Sequence, residues 1–222
     1  MKPQALFILS TALLGAAVAS PCHAANSAMH EGLVAVQSRY LDELHLRPNA
    51  DLAGYRRVLI DPVAVEFSRD WLRNMNAYNR SPSRWIGRDE ARRIAMETTS
   101  SLESSVAEAF KARGYEIVAA PGPGVLRLSP SVADLYINAP DGLSPWRTKT
   151  FTRDAGEAKL LLEARDAVSG TLLARVLHHG IARQVGRLNL ADEVSNRFWF
   201  DAMFRQWAVN CVAEFEAGAN RP

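Results

Sequence analysis

The sequence predicts an α+β fold: a mixed sheet of four to five strands with two long helices packed on one face. Three observations predict it. Ile94, Thr98, Leu102, Val106 and Phe110 recur every four residues, as do Trp199, Met203, Trp207, Cys211 and Phe215, so each set forms one helical stripe. Ala158, Leu160, Leu162 and Ala164 alternate with Lys159, Glu163 and Arg165, the two-residue period of a strand with one covered face. Val58-Leu59-Ile60 is apolar without interruption but too short for a helix, as in a strand covered on both faces.

Taken in order, the elements read β-α-β-β-β-β-α. Residues 25–53 form a polar approach segment in which Leu33, Val36 and Tyr40 suit one face of a short helix, ended by Arg47-Pro48-Asn49. The first strand runs from Tyr55 to Phe67, disturbed at Asp61-Pro62 because proline cannot donate to a ladder. Ser68 to Gly87 is a long connection. The first long helix is expected from Arg88 to Arg113, with Gly114 as its stop; Ser101, Ser105 and Ala109 beside its stripe would allow close approach to a sheet. A short strand, Tyr115 to Val118, and a Pro121–Gly124 turn follow. Val125 to Asn138 is a strand interrupted near Pro130, and Gly142 to Asp154 is a loop. Glu157–Asp166 and Thr171–Gln184 form a hairpin turning at Asp166–Gly170. Asn189 opens the last helix, Asp192 supports its first turn, and Gly218 closes it. The domain expected to fold is 54–218, with 219–222 as a tail.

Residues 1–24 read as a cleavable signal peptide: Lys2, an apolar run from Ala5 to Ala19, and a small-residue exit at Ala24. The run is shorter than the roughly 20 residues a membrane span needs. No transmembrane segment is expected, and the expected location is the periplasm. The alternative is cleavage before Cys22, whose lipidation would give a lipid anchor and outer-membrane association; Pro21 makes a poor signal for that. Cleavage after Ala24 leaves 198 residues, enough for one domain with a substantial core. Loss of Lys2 takes the 26 basic residues to 25 against 24 acids, which argues against an electrostatic pull toward nucleic acid. Only Cys211 of the two cysteines remains, so no internal disulfide forms.

Four blocks carry a resemblance: YRRVLIDPVAVEFSRDW from Tyr55, GYEIVAAPGPGVLRL from Gly114, AGEAKLLLEARDAVSGTLLAR from Ala155, and GRLNLADEVSNRFWFDAMFRQW from Gly186. In this order they resemble the bacterial envelope family known as domain of unknown function 3313. The resemblance implies a secreted protein or lipoprotein of α/β fold, with no established activity and no catalytic residues to carry over. Two departures stand out. Pro21 spoils the lipoprotein cysteine that the resemblance implies, and Leu177-His178-His179 follows Val176 where Asp-Arg is expected. The element order is also like that of periplasmic accessory proteins that help transport or secretion machines assemble, an analogy at the level of fold.

Few residues suit chemistry. His178 and His179 are neighbours on a strand and point to opposite faces, so they cannot share a metal; His178 is expected to face the core and His179 to face outward. Cys211 lies on the last helix's aromatic stripe rather than in a pocket. Pro121-Gly122-Pro123-Gly124 lacks the successive N–H groups of a phosphate cradle. Asp61, Glu66 and Asp70 gather near the end of the first strand, where capping is the ordinary role. No catalytic, cofactor or metal residue is therefore expected. The Ser68–Gly87 connection is the candidate recognition segment. Its Arg69, Trp71, Arg73, Tyr78, Arg80, Arg84 and Trp85 are of the types enriched at binding hot spots. The expected function is a non-enzymatic, envelope-associated binding or accessory component whose partner is an unknown envelope protein or a second copy. The alternative is a small periplasmic enzyme acting on envelope material.

Overall fold

A computed structural model describes residues 32–77, 85–138, 151–152, 154–183, 189–190 and 193–219. In it, ten strands and three α-helices follow one another as β1 (Val34–Val36), β2 (Glu43–Leu46), β3 (Arg57–Ile60), β4 (Ala64–Phe67), α1 (Trp71–Ala77), α2 (Arg88–Ala112), β5 (Glu116–Ile117), β6 (Val125–Ile137), β7 (Phe151–Thr152), β8 (Asp154–Asp166), β9 (Leu172–Arg183), β10 (Asn189–Leu190) and α3 (Glu193–Ala219). The fold is α+β with a mixed, open sheet and helices packed against it. The sheet is larger than the four to five strands expected: eight strands join it, in the order β1-β2-β9-β8-β6-β3-β5, with β4 also on β6.

The extra strands have identifiable origins. The 25–53 segment was expected to hold a short helix, but β1 and β2 pair antiparallel, and β2 pairs with β9 from Glu43↔Leu177 to Leu46↔Ala174. Leu44 and Leu46 are buried while Glu43 is exposed, a period of two that the spacing of Leu33, Val36 and Tyr40 concealed. The single strand expected from Tyr55 to Phe67 is two. β3 pairs with the first half of β6 through Ile60↔Leu128, and β4 resumes on the second half at Ala64↔Ser131.

Pro130 explains how β6 passes unbroken through a proline. Leu128 O accepts from Asp61 N at 2.8 Å, so Leu128 turns its polar groups toward β3. Pro130, two residues on, turns its nitrogen the same way, into the gap left by Asp61–Val63, where no ladder partner needs a donor. The freed backbone of Val63 is taken up by α2: its N–H donates to Glu103 Oε1 at 3.0 Å, and its C=O accepts from Thr99 Oγ1 at 3.1 Å.

Both long helices lie on one face of the sheet. Ile94, Thr98, Leu102, Val106 and Phe110 of α2 are all buried, as the stripe predicts. Ser101, expected to sit near the sheet, instead donates to Asp201 of α3. The pairs Ser101–Asp201 and Arg113–Glu216 show α2 and α3 running parallel. α3 begins at Glu193 rather than Asn189, because Asn189–Leu190 pairs with Phe151–Thr152. It crosses β9 at Gly180, where a Cβ would fall 2.7 Å from the Trp207 ring. Gly156 is required for another reason: its φ is +145°, and a Cβ would collide with Tyr136 O.

Among the described residues no helix covers the opposite face, and its side chains are tied to each other. Glu163 bridges Arg175 and Arg165. Burial alone would raise the Glu163 carboxyl, but its bonds to the two guanidiniums outweigh that and hold it below the ordinary range. Lys159 pairs with Asp134 at 2.7 Å.

Candidate functional site

The Ser68–Gly87 connection is partly a helix. α1 forms from Trp71 to Ala77 and buries Trp71, which is 1% exposed. Its ring stacks on Phe67 with centroids 4.3 Å apart, and Nε1 donates to Ile137 O at 2.9 Å. Trp71 was expected on a recognition surface; it is a core anchor, because an indole with its N–H satisfied is better placed in the apolar interior than in water. Arg69 and Arg73 are exposed, and Arg73 pairs with Asp70 at 2.8 Å. Trp85 is 55% exposed. Tyr78, Arg80 and Arg84 lie outside the described residues. Asn76 clips the segment's ends together: its Oδ1 accepts from Ile86 N at 2.7 Å, and its Nδ2 donates to Ile86 O at 3.1 Å.

The groups considered for chemistry are dispersed. Asp61 accepts from Arg127 Nε at 2.9 Å and Ser129 Oγ at 2.6 Å. Glu66 is exposed on β4. The Pro121–Gly124 stretch is a turn, with Val125 N bonded to Gly122 O at 3.1 Å. Cys211 is buried, and desolvation first, then the nearby Glu214 charge, pushes its thiol up to about 12. His178 and His179 do point to opposite faces. His178 lies edge-on to Trp207 with centroids 6.0 Å apart, and Asp42 Oδ2 is 3.2 Å from its Nδ1. His179 is more exposed and has Nε2 3.2 Å from Glu157. Among the described residues no three His, Cys, Asp or Glu side chains gather as a metal would require.

A concave site does exist, between the leading halves of α2 and α3. Its floor is apolar, made by Ile94, Ile137, Phe200 and Phe204. Its rim is charged. Arg93 holds Glu90 at 2.6 Å and Glu97 at 2.8 Å. Asp201 accepts from Ser101 across the cleft, and Asn196 Nδ2 donates to Asn138 O at 2.8 Å at one end. Ile94, Thr98 and Ser101 are expected only as packing residues of the first long helix, and none of the cleft residues is expected at a binding site. Their one signal was an aspartate inside the aromatic run Phe198-Trp199-Phe200-Asp201-Ala202-Met203-Phe204.

The comparisons with known proteins agree with the blocks that suggested a family. Residues 30–210 match the model for a protein of unknown function, DUF3313. The chain belongs to the DUF3313 family. No curated protein matches the chain. Solved structures to which the chain is similar include a PelC dodecamer from Paraburkholderia phytofirmans, at 14% identity and TM-score 0.42, covering 78% of this chain and 97% of that one. A Xanthomonas campestris protein described under DUF330 is 12% identical with TM-score 0.41, covering 74% of this chain and 86% of its own. A Helicobacter pylori homologue of a neuraminyllactose-binding hemagglutinin is 13% identical with TM-score 0.36, covering 74% and 84%. Among the described residues of this DUF3313 member, no helix is long and apolar enough to cross a membrane.

Proposed function

We propose that this DUF3313 protein is exported to the bacterial envelope and works there by binding, as an accessory component of an assembly or transport machine. The observation that carries the reading is the engagement of its reactive groups. Asp61 is held by Arg127 and Ser129, and the Cys211 thiol is buried and pushed up to about 12. A nucleophile or general acid needs a tuned group open to substrate, and these two serve structure instead. The exposed Arg69, Arg73 and Trp85 suit the recognition surface.

Export is read from Lys2, the apolar run and Ala24. Protein isolated from cells is expected to begin at Ala25 by intact mass; a lipid-bearing Cys22 at the terminus would replace the periplasmic reading with the anchored one. Binding is tested by crosslinking in cells followed by affinity isolation. An envelope partner is expected, and capture is expected to fall in Arg69→Ala/Arg73→Ala while stability changes by under about 1 kcal/mol. A partner-free monomer that hydrolyses envelope material would sink the proposal.

A further inference from the structure

The floor and rim of the α2–α3 cleft differ in character, and the difference specifies a ligand. The floor residues Ile94, Ile137, Phe200 and Phe204 are each at most 8% exposed, so they offer an apolar wall rather than loose side chains. At the rim the lining carries three carboxylates, Glu90, Glu97 and Asp201, against two guanidiniums, Arg93 and Arg197. Arg93 is already shared between both glutamates. Arg197, one turn before Asp201 on α3, is exposed. Asp201 makes no ion pair among the described residues; its one partner there is the Ser101 hydroxyl, which supplies a hydrogen bond but no charge. A carboxylate beside apolar walls has lost part of its hydration and is electrostatically incomplete.

We propose that the cleft binds a cationic group carried on an apolar stem, with Asp201 receiving the cation and Phe200, Phe204 and Ile94 receiving the stem. An anion is disfavoured by the excess negative charge of the lining. A neutral alcohol of the same shape would fill the floor and leave Asp201 without its counter-charge. Two sources share the proposed chemistry: a free hydrophobic amine, and the side chain of a lysine or arginine flanked by apolar residues in a peptide. None of the cleft's lining residues belongs to the Arg69–Trp85 segment, so the probes below test it without reference to partner capture there.

The test uses the mature protein and four probes read by calorimetry and by amide NMR shifts: n-octylammonium, n-octanol, n-octanoate, and a short peptide alternating leucine and lysine. Octylammonium is expected to bind at least about tenfold more tightly than octanol, since each factor of ten is a modest ionic contribution, and octanoate more weakly still. Shifts are expected at Ser101, Phe200 and Asp201. Stronger binding of the peptide would assign the natural ligand to a side chain; stronger binding of octylammonium would assign it to a free amine. Asp201→Asn keeps the shape and removes the charge, so the preference for octylammonium over octanol is expected to vanish. Equal binding of the three octyl probes by the wild type, shifts lying outside the cleft, or a preference that survives Asp201→Asn would each overturn the assignment. The wild-type comparison needs no variant, so it decides the matter even if Asp201→Asn misfolds.

Discussion

The two halves of the helix layer are built from the same two helices and behave as different materials. In the trailing half, Phe110 of α2 meets Phe215 of α3 at 6.4 Å, and Tyr115, just beyond the end of α2, meets these two rings at 5.2 Å and 6.5 Å. Cys211, Val212 and Ala208 fill the remaining space and are almost wholly buried. In the leading half, Glu90, Arg93, Glu97, Ser101 and Asp201 line the facing surfaces, and a cleft opens. Parallel helices are held shut where their contacts are interlocking and apolar. They stand apart where charged side chains must keep some water. One helix pair thus supplies both the anchor of the fold and its concave surface.

The largest test of this contrast is Trp207→Ala. Trp207 is 2% exposed and lies against Phe204, His178 and the Gly180 backbone, so its loss is expected to cost about 3–5 kcal/mol by chemical denaturation. A loss under about 1 kcal/mol would mean that the closed half is not the anchor. Thiol labelling read by peptide mass is the next test. Cys211 is buried with its thiol pushed up to about 12, so it is expected to label only as the protein unfolds. Ser101→Cys, at the open half, is expected to label faster on the order of 100-fold. Comparable rates would erase the distinction between the halves. The smallest effect is expected from Asp201→Asn. It leaves the apolar floor intact and should shift stability by under about 1 kcal/mol, the range of half-exposed polar contacts. A cost above about 2 kcal/mol would make the rim part of the anchor.

The sequence disclosed the elements whose signal is internal to them. The α2 and α3 stripes, and the β8–β9 hairpin about Asp166–Gly170, are periodic over ten residues or more, and a period of that length is hard to mistake. What it concealed depends on partners far away in the chain. β2 is four residues long and is a strand because β9 is there to receive it; alone, Glu43 to Leu46 has too little pattern to show it. Trp71 read as a hot-spot residue because composition cannot tell an exposed indole from one whose N–H reaches Ile137 O. The cleft was hidden for the same reason. Ser101 and Asp201 stand 100 residues apart, and only the parallel packing of their helices makes them neighbours.

The pairing of β2 with β9 has a temporal side. Leu46 lies opposite Ala174, so the outermost strands of the sheet, which come early in the chain, can dock only after the last long strand has been made. Non-local pairing of this kind slows folding, because loop closure must precede any gain from contacts. As the chain emerges, β1 and β2 therefore wait, with Leu44 and Leu46 uncovered, while some 130 residues follow them, a span set by the distance from Leu46 to Ala174. Pulsed hydrogen exchange during refolding is expected to protect the Leu160 amide before the His45 amide. Simultaneous protection would mean that the edge strands join the first nucleus, and that the waiting segment is already held by contacts formed earlier in the chain.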